Sequence, residues 1–142
     1  MQPSHVLVPL DGSPLAEDAL EYALDVFDCP VTVLNVVSPV DASMSESGAL
    51  PPEGDRLDEA RDRAESILER VGDDEPSERD VDVVVETGAP AETIVDYVAA
   101  TDVDQVVMGG HGGERNAVAR RLLGTVATKV VGETPVTVTV VR

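Results

Sequence analysis

Apolar residues along this chain keep two rhythms, and the way they alternate sets the expected fold. Short runs rich in β-branched residues read as buried strands: His5–Leu10, Val31–Val37, Val81–Thr87, Val106–Gly109 and Pro135–Val141. Between them apolar residues recur at the spacing of one helix face. Ala16, Ala19, Leu20, Ala23, Leu24 and Phe27 mark the first face, with Pro14 at the opening helical position and Ser13 as its cap. Leu57, Ala60, Ala64, Ile67, Leu68 and Val71 mark the second, with Asp58, Asp62, Glu65 and Glu69 outward beside Arg61 and Arg70. After the Gly88-Ala89-Pro90 turn, Ile94, Val95, Val98 and Ala99 mark the third. A last helix starts near Ala117 or Gly124 and runs to Val131.

Strand and helix thus alternate along the whole chain and end on a strand. That order predicts a parallel sheet covered by helices on both faces, with right-handed crossovers. The near-continuous apolar character of VTVLNVV agrees with burial on both faces. Ser38–Pro52, with its prolines and serines, reads as a flexible connection, and Gly72–Asp80 as an acidic loop. Neither marks a boundary, so residues 1–142 are expected to form one domain.

Composition refines this picture. Aromatic residues make up only 2% of the chain, so the core must be built from Val, Ala, Leu and Ile, with Tyr22, Phe27 and Tyr97 as the only rings. No run approaches the ~20 apolar residues of a membrane span, and no leader-like segment opens the chain, so a cytoplasmic protein without membrane partners is expected. Cys29 is the single cysteine, which excludes an internal disulfide. The 28 Asp/Glu against 10 Lys/Arg give a net charge of −18. Such a surface repels nucleic acid. The charge is interleaved with helix and strand periodicity, so it is not a disordered tail. With one lysine in the whole chain, it reads as adaptation to a very salty cytoplasm, as in a halophile.

One stretch departs from this acidity. Gln105–Lys129 leaves an apolar run through Gly109, Gly110, Gly112 and Gly113, and it carries Arg115, Arg120, Arg121 and Lys129 with Glu114 as its sole carboxylate after Gly109. Exposed backbone N–H groups beside cations suit an anion, phosphate first. Gly124-Thr125 brings helical N–H groups and a hydroxyl to the same mouth. Asp11, at the end of the first strand, is placed to accept hydrogen bonds from ribose hydroxyls or an adenine amino group; the plainer alternative is that it closes the turn before Ser13. The glycines, equally, can serve a loop and nothing more. There is no GxxxxGK[ST] and no Rossmann glycine spacing after the first strand. His111 has no cysteine or second histidine at ligand spacing, which argues against a transition-metal site. Ser13 has no local histidine base to make it a nucleophile.

HVLVPLDGSPLAEDALEYAL, VTVLNVV, ETGAPAETIVDYV and VMGGHGGERNAVARRLLGTVATKVVGETPVTVTVVR, in this order, resemble the universal stress protein family (UspA-like) over essentially the whole chain. The resemblance implies a three-layer α/β/α fold of the adenine nucleotide alpha hydrolase type, its five parallel strands in the order 3-2-1-4-5. It implies a homodimer through the last strand, whose uncharged Val/Thr run would otherwise leave an unprotected edge. In the ATP-binding branch, the aspartate after the first strand corresponds to Asp11 and the adenine-seating valine to Val36. The Gly-x-x-Gly, nine residues, Gly-[Ser/Thr] phosphate motif is similar to Gly109, Gly112, Gly124 and Thr125, flanked by Met108 and Val126. Here eleven residues separate Gly112 from Gly124. The two extra residues either bulge outward or shift the phosphates, and Arg115, Arg120 and Arg121 can neutralise phosphate charge.

The resemblance therefore implies an ATP-binding, nucleotide-responsive regulator or protector in the stress response, with Mg²⁺ beside the nucleotide and at most slow hydrolysis. It leaves room for an unidentified regulatory protein partner. The alternatives are a homodimeric interaction protein of the same fold that binds no nucleotide, and an adenylyl-transferring enzyme. The last is disfavoured because the first strand ends without a histidine-rich phosphate motif.

Overall fold

The computed structural model describes residues 2–11, 14–37, 53–71, 80–110 and 124–142, and of 53–55 only the helical backbone. Along them run β1 (Val6–Leu10), α1 (Pro14–Val26), β2 (Val31–Val37), α2 (Glu53–Val71), β3 (Val81–Thr87), α3 (Pro90–Ala100), β4 (Gln105–Gly109), α4 (Thr125–Glu133) and β5 (Thr137–Val141). The Ser38–Pro52 connection, the acidic loop up to Asp80, the Ser13 cap and the Ala117 start of the last helix lie outside the described residues.

All five strands form one parallel sheet in the order β3-β2-β1-β4-β5. Alternation along each strand sends successive side chains to opposite faces, and both faces are apolar. Val6, Val8, Leu10, Val31, Val33 and Val107 meet Ala16, Ala19, Leu20 and Ala23 of α1 and Ala64 of α2. On the other side Leu7, Leu34, Val106 and Met108 meet Ala91, Ile94 and Val98 of α3 and Ala127 and Val130 of α4. The result is a three-layer α/β/α architecture. The alanines on α1 let its backbone approach the sheet closely, which suits a core with no buried ring. Each fully buried Val or Leu contributes about 1.5–3 kcal/mol relative to an exposed one.

Element ends differ from the sequence expectation where backbone groups are diverted. The first strand starts at Val6 because the His5 N–H donates to the Asp104 carboxylate at 3.0 Å instead of entering the ladder. The last starts at Thr137, since Pro135 has no N–H to pair. Gln105 joins β4 and is buried, its side-chain amide donating to Thr139 Oγ1 at 2.8 Å. The inward stripe of α3 is Ala91, Ile94 and Val98, which leaves Val95 half-buried and Ala99 exposed, contrary to the periodicity reading.

The amino-terminal rim of the sheet is held by polar contacts. His5 bridges strands, with Nδ1 2.6 Å from Asp102 Oδ1 and Nε2 2.7 Å from the buried Thr32 hydroxyl. The His5 hydrogen bond holds the Asp102 carboxyl below its ordinary pKa. The Asp104 carboxylate accepts from the Ser4 N–H and hydroxyl and from the His5 N–H, and the Ser4 backbone bond is the main cause of its lowered pKa. At the β3 edge, Arg61 Nη1 of α2 donates to the Val83 carbonyl at 2.9 Å.

Candidate functional site

At the carboxyl rim β1, β2 and β4 end together, and the starts of α1, α3 and α4 converge on them around a cavity of about 220 Å³. The sheet continues to opposite sides from β1 and β4, so this is the crevice where strand order reverses, the usual ligand position in open α/β sheets. Leu34, Ile94, Met108 and Ala127 form a buried apolar floor, and Val36 packs against the same cluster. Polar character comes from Asp11, from Thr125 and from the backbone of Gly109, Gly110 and Gly124.

The glycines are required by close approach. A Cβ on Gly109 would stand 2.9 Å from Leu15 Cβ and 3.0 Å from the Leu15 carbonyl carbon, so the first turn of α1 can pass the end of β4 only if no side chain is there. The Gly110 N–H donates to the Val141 carbonyl at 2.7 Å, and its own carbonyl accepts from the Gly124 N–H. Gly124 is the extended N-cap of α4 and supplies no side-chain cap bond. The first-turn N–H groups of α4 belong to Thr125, Val126 and Ala127, which themselves line the cavity.

The structure brings Asp11, Val36, Met108, Gly109, Gly124, Thr125 and Val126 to this one cavity. Gly112, with His111, Arg115, Arg120 and Arg121, lies outside the described residues. Asn35 and Val37, also at the end of β2, do not line the cavity, because alternation turns them away from the face that Val36 occupies. Lys129 does not line the cavity. Its ammonium pairs with Glu92 across α4 and α3 at 3.1 Å, and that hydrogen bond raises its pKa. Sequence reasoning did not select Gly110, Leu34, Pro90 or Ile94 as site residues. Leu34 was signalled by standing two positions before Val36 on the same strand face, and Gly110 by the glycine cluster; Pro90 and Ile94 needed the packing of α3 against the sheet.

Chemically, the arrangement offers an apolar slot, one carboxylate at its mouth and backbone donors at a helix start. Among the described residues, Asp11 is the only titratable side chain on the lining. Among the described residues no group of three His, Cys, Asp or Glu side chains could hold a metal ion. No described helix is long and apolar enough to cross a membrane.

Solved structures share this architecture. Hypothetical protein MJ0577 is 26% identical, with a TM-score of 0.80 over 99% of this chain and 96% of that one. The universal stress protein UspA from Lactobacillus plantarum is 23% identical, with a TM-score of 0.73 over 100% and 99%. A universal stress protein in complex with cAMP is 23% identical, with a TM-score of 0.63 over 100% and 98%. No curated protein matches by sequence. A family model described as the Universal stress protein family matches residues 3–142. Sequence, sheet order and family match agree: the chain belongs to the universal stress protein family.

Proposed function

We propose that this chain is an ATP-binding universal stress protein, a single domain that acts as a nucleotide-responsive regulator or protector in the stress response. The observation that carries the reading is the convergence of Asp11, Val36, Met108, Gly109, Gly124, Thr125 and Val126 on one cavity. The relative bound to cAMP supports an adenine nucleotide as the ligand class. Adenine would lie against Val36, Leu34 and Met108, where an apolar slot rewards a flat aromatic base. Asp11 would accept from the ribose or the base amino group, and Gly109, Gly124 and the start of α4 would receive phosphate oxygens.

Mg²⁺ would enter with the triphosphate, since among the described residues the lining offers it only Asp11. Phosphoryl transfer needs a positioned nucleophile besides the metal, and among the described residues Asp11 is the sole titratable group on the lining. That supports hydrolysis that is slow at most. The −18 net charge supports work in a high-salt cytoplasm. The uncharged outer strand Thr137–Val141, at the sheet's edge, supports pairing with a second copy. The second reading, an interaction protein that binds no nucleotide, is favoured by the eleven residues between Gly112 and Gly124.

The test is purification at high KCl without nucleotide, analysis of small molecules released on denaturation, and calorimetric titration of the stripped protein with Mg-ATP. ATP released in near-stoichiometric amount, with binding weakened at least about tenfold by Asp11→Ala, is the expected result; one charged hydrogen bond is worth about 1.5–3 kcal/mol. An empty protein that ignores millimolar Mg-ATP would leave the interaction-protein reading standing.

A further inference from the structure

No residue of β5 lines the cavity, yet the strand is bonded directly to the cavity's backbone. Its register sets Val140 beside Met108 and Val141 beside Gly109, both cavity residues on the β4 side. Beyond the end of that ladder, the Val141 carbonyl takes the Gly110 N–H at 2.7 Å. Gly110 in turn accepts from Gly124, the cap of α4. One buried glycine therefore links three things: the floor strand, the helix start and the outer strand. Space around it is tight, because a Cβ there would stand 3.1 Å from Val140 Cγ1 and 3.3 Å from the Val141 oxygen.

We infer that Gly110 and Val141 are positioning residues for the ligand site, and that occupancy of the cavity is transmitted through them to β5. The inference rests on the nucleotide reading above. The physical argument is that a phosphate drawing on the backbone at Gly109 and Gly124 rewards the geometry in which the Gly124 N–H is bonded to the Gly110 carbonyl. That geometry includes the bond to Val141. Strand alternation puts the N–H groups of Thr139 and Val141 on the same side as that carbonyl, toward β4. The groups of Val138 and Val140 point to the outer edge. Ligand binding thus orders the strand that offers its other side to a partner, and by linkage anything that pairs with that side tightens the ligand.

Amide hydrogen exchange at high KCl, with and without Mg-ATP at about one hundred times its Kd, tests this. β3, the opposite edge strand, is the internal control. The expected result is that the Thr139 and Val141 amides slow by about tenfold or more, while those of Asp82 and Val84 slow markedly less. Gly110→Ala should weaken Mg-ATP about two- to tenfold, the value of one backbone hydrogen bond, and remove the selective response of β5. Nucleotide bound with β5 slowing no more than β3 would overturn the inference and leave the nucleotide reading intact. A wild-type protein that binds no Mg-ATP would remove both. If Gly110→Ala does not fold, the wild-type comparison of the two edges still decides.

Discussion

The same chemical change, glycine to alanine, should have opposite signs at two positions in this protein. At Gly109 the added methyl would sit 2.9 Å from Leu15 Cβ, 3.0 Å from the Leu15 carbonyl carbon and 3.2 Å from the Ala16 nitrogen. These are backbone or backbone-attached atoms of the first turn of α1, so relief requires the helix to move rather than a side chain to rotate. Overpacking of this kind costs about 1–3 kcal/mol. At Gly132, near the end of α4, a Cβ meets nothing within 4 Å. Alanine there removes backbone freedom from the unfolded chain and gains helix propensity, worth a few tenths up to about 1 kcal/mol. For a chain of 142 residues, 1 kcal/mol moves the midpoint by about 3–5 °C. Calorimetric scans at high KCl should place Gly109→Ala about 3–15 °C below wild type and Gly132→Ala level with it or up to about 5 °C above. Gly109→Ala should also weaken Mg-ATP, since Leu15 and Ala16 cannot retreat without displacing Ala16 on the cavity wall. A Gly109→Ala protein as stable as wild type would refute the claim that this glycine is required by the passage of α1.

Three further outcomes follow from the packing. Asp104 and Asp102 have lowered native pKa values, so their contribution is complete above the unfolded carboxylate value near pH ~4 and is lost as pH falls through the native values. Asp104→Asn should cost about 1 kcal/mol at pH 7, with the gap from wild type closing below about pH 3 in thermal scans; a gap that persists there would show that the carboxylate's charge is not what holds Ser4 and His5. Removing the guanidinium that caps the β3 edge, as in Arg61→Ala, should cost about 0.5–1.5 kcal/mol and expose the Val83 carbonyl to other chains. Light scattering should then show larger assemblies at high protein concentration, and unchanged scattering with unchanged stability would deny the residue that role. The Glu92–Lys129 pair is exposed, so Glu92→Gln should leave the thermal midpoint level with wild type, the more so in high salt; a clear drop in the midpoint at high KCl would mean the pair braces α3 against α4.

Much of the fold could be read before the structure. VTVLNVV is apolar on both faces because the sheet has α1 and α2 on one side and α3 and α4 on the other, and local periodicity records that directly. Pro14, Gly88 and Pro90 fall where helices begin because backbone chemistry acts within a few residues. The candidate site was legible for a similar reason. Asp11, Val36, Met108 and Gly109 stand at strand ends, and Gly124-Thr125 at a helix start, so a parallel sheet has to bring them to one rim.

What the sequence could not supply depends on partners distant along the chain. His5 reads as the first strand residue, but the Asp104 carboxylate, 99 positions away, takes its N–H and ends the ladder at Val6. Arg61 reads as a neighbour of outward carboxylates on its helix and Lys129 as part of the cationic stretch, yet one caps a strand edge and the other is held by Glu92. Gly110 looks like one glycine among several, and only the return of β5 beside β4 makes its N–H the tie between cavity and outer strand. Periodicity and turn chemistry are local and survive in the one-dimensional string. Which donor meets which acceptor across the sheet is decided by the order in which the strands pack, and that exists only in three dimensions.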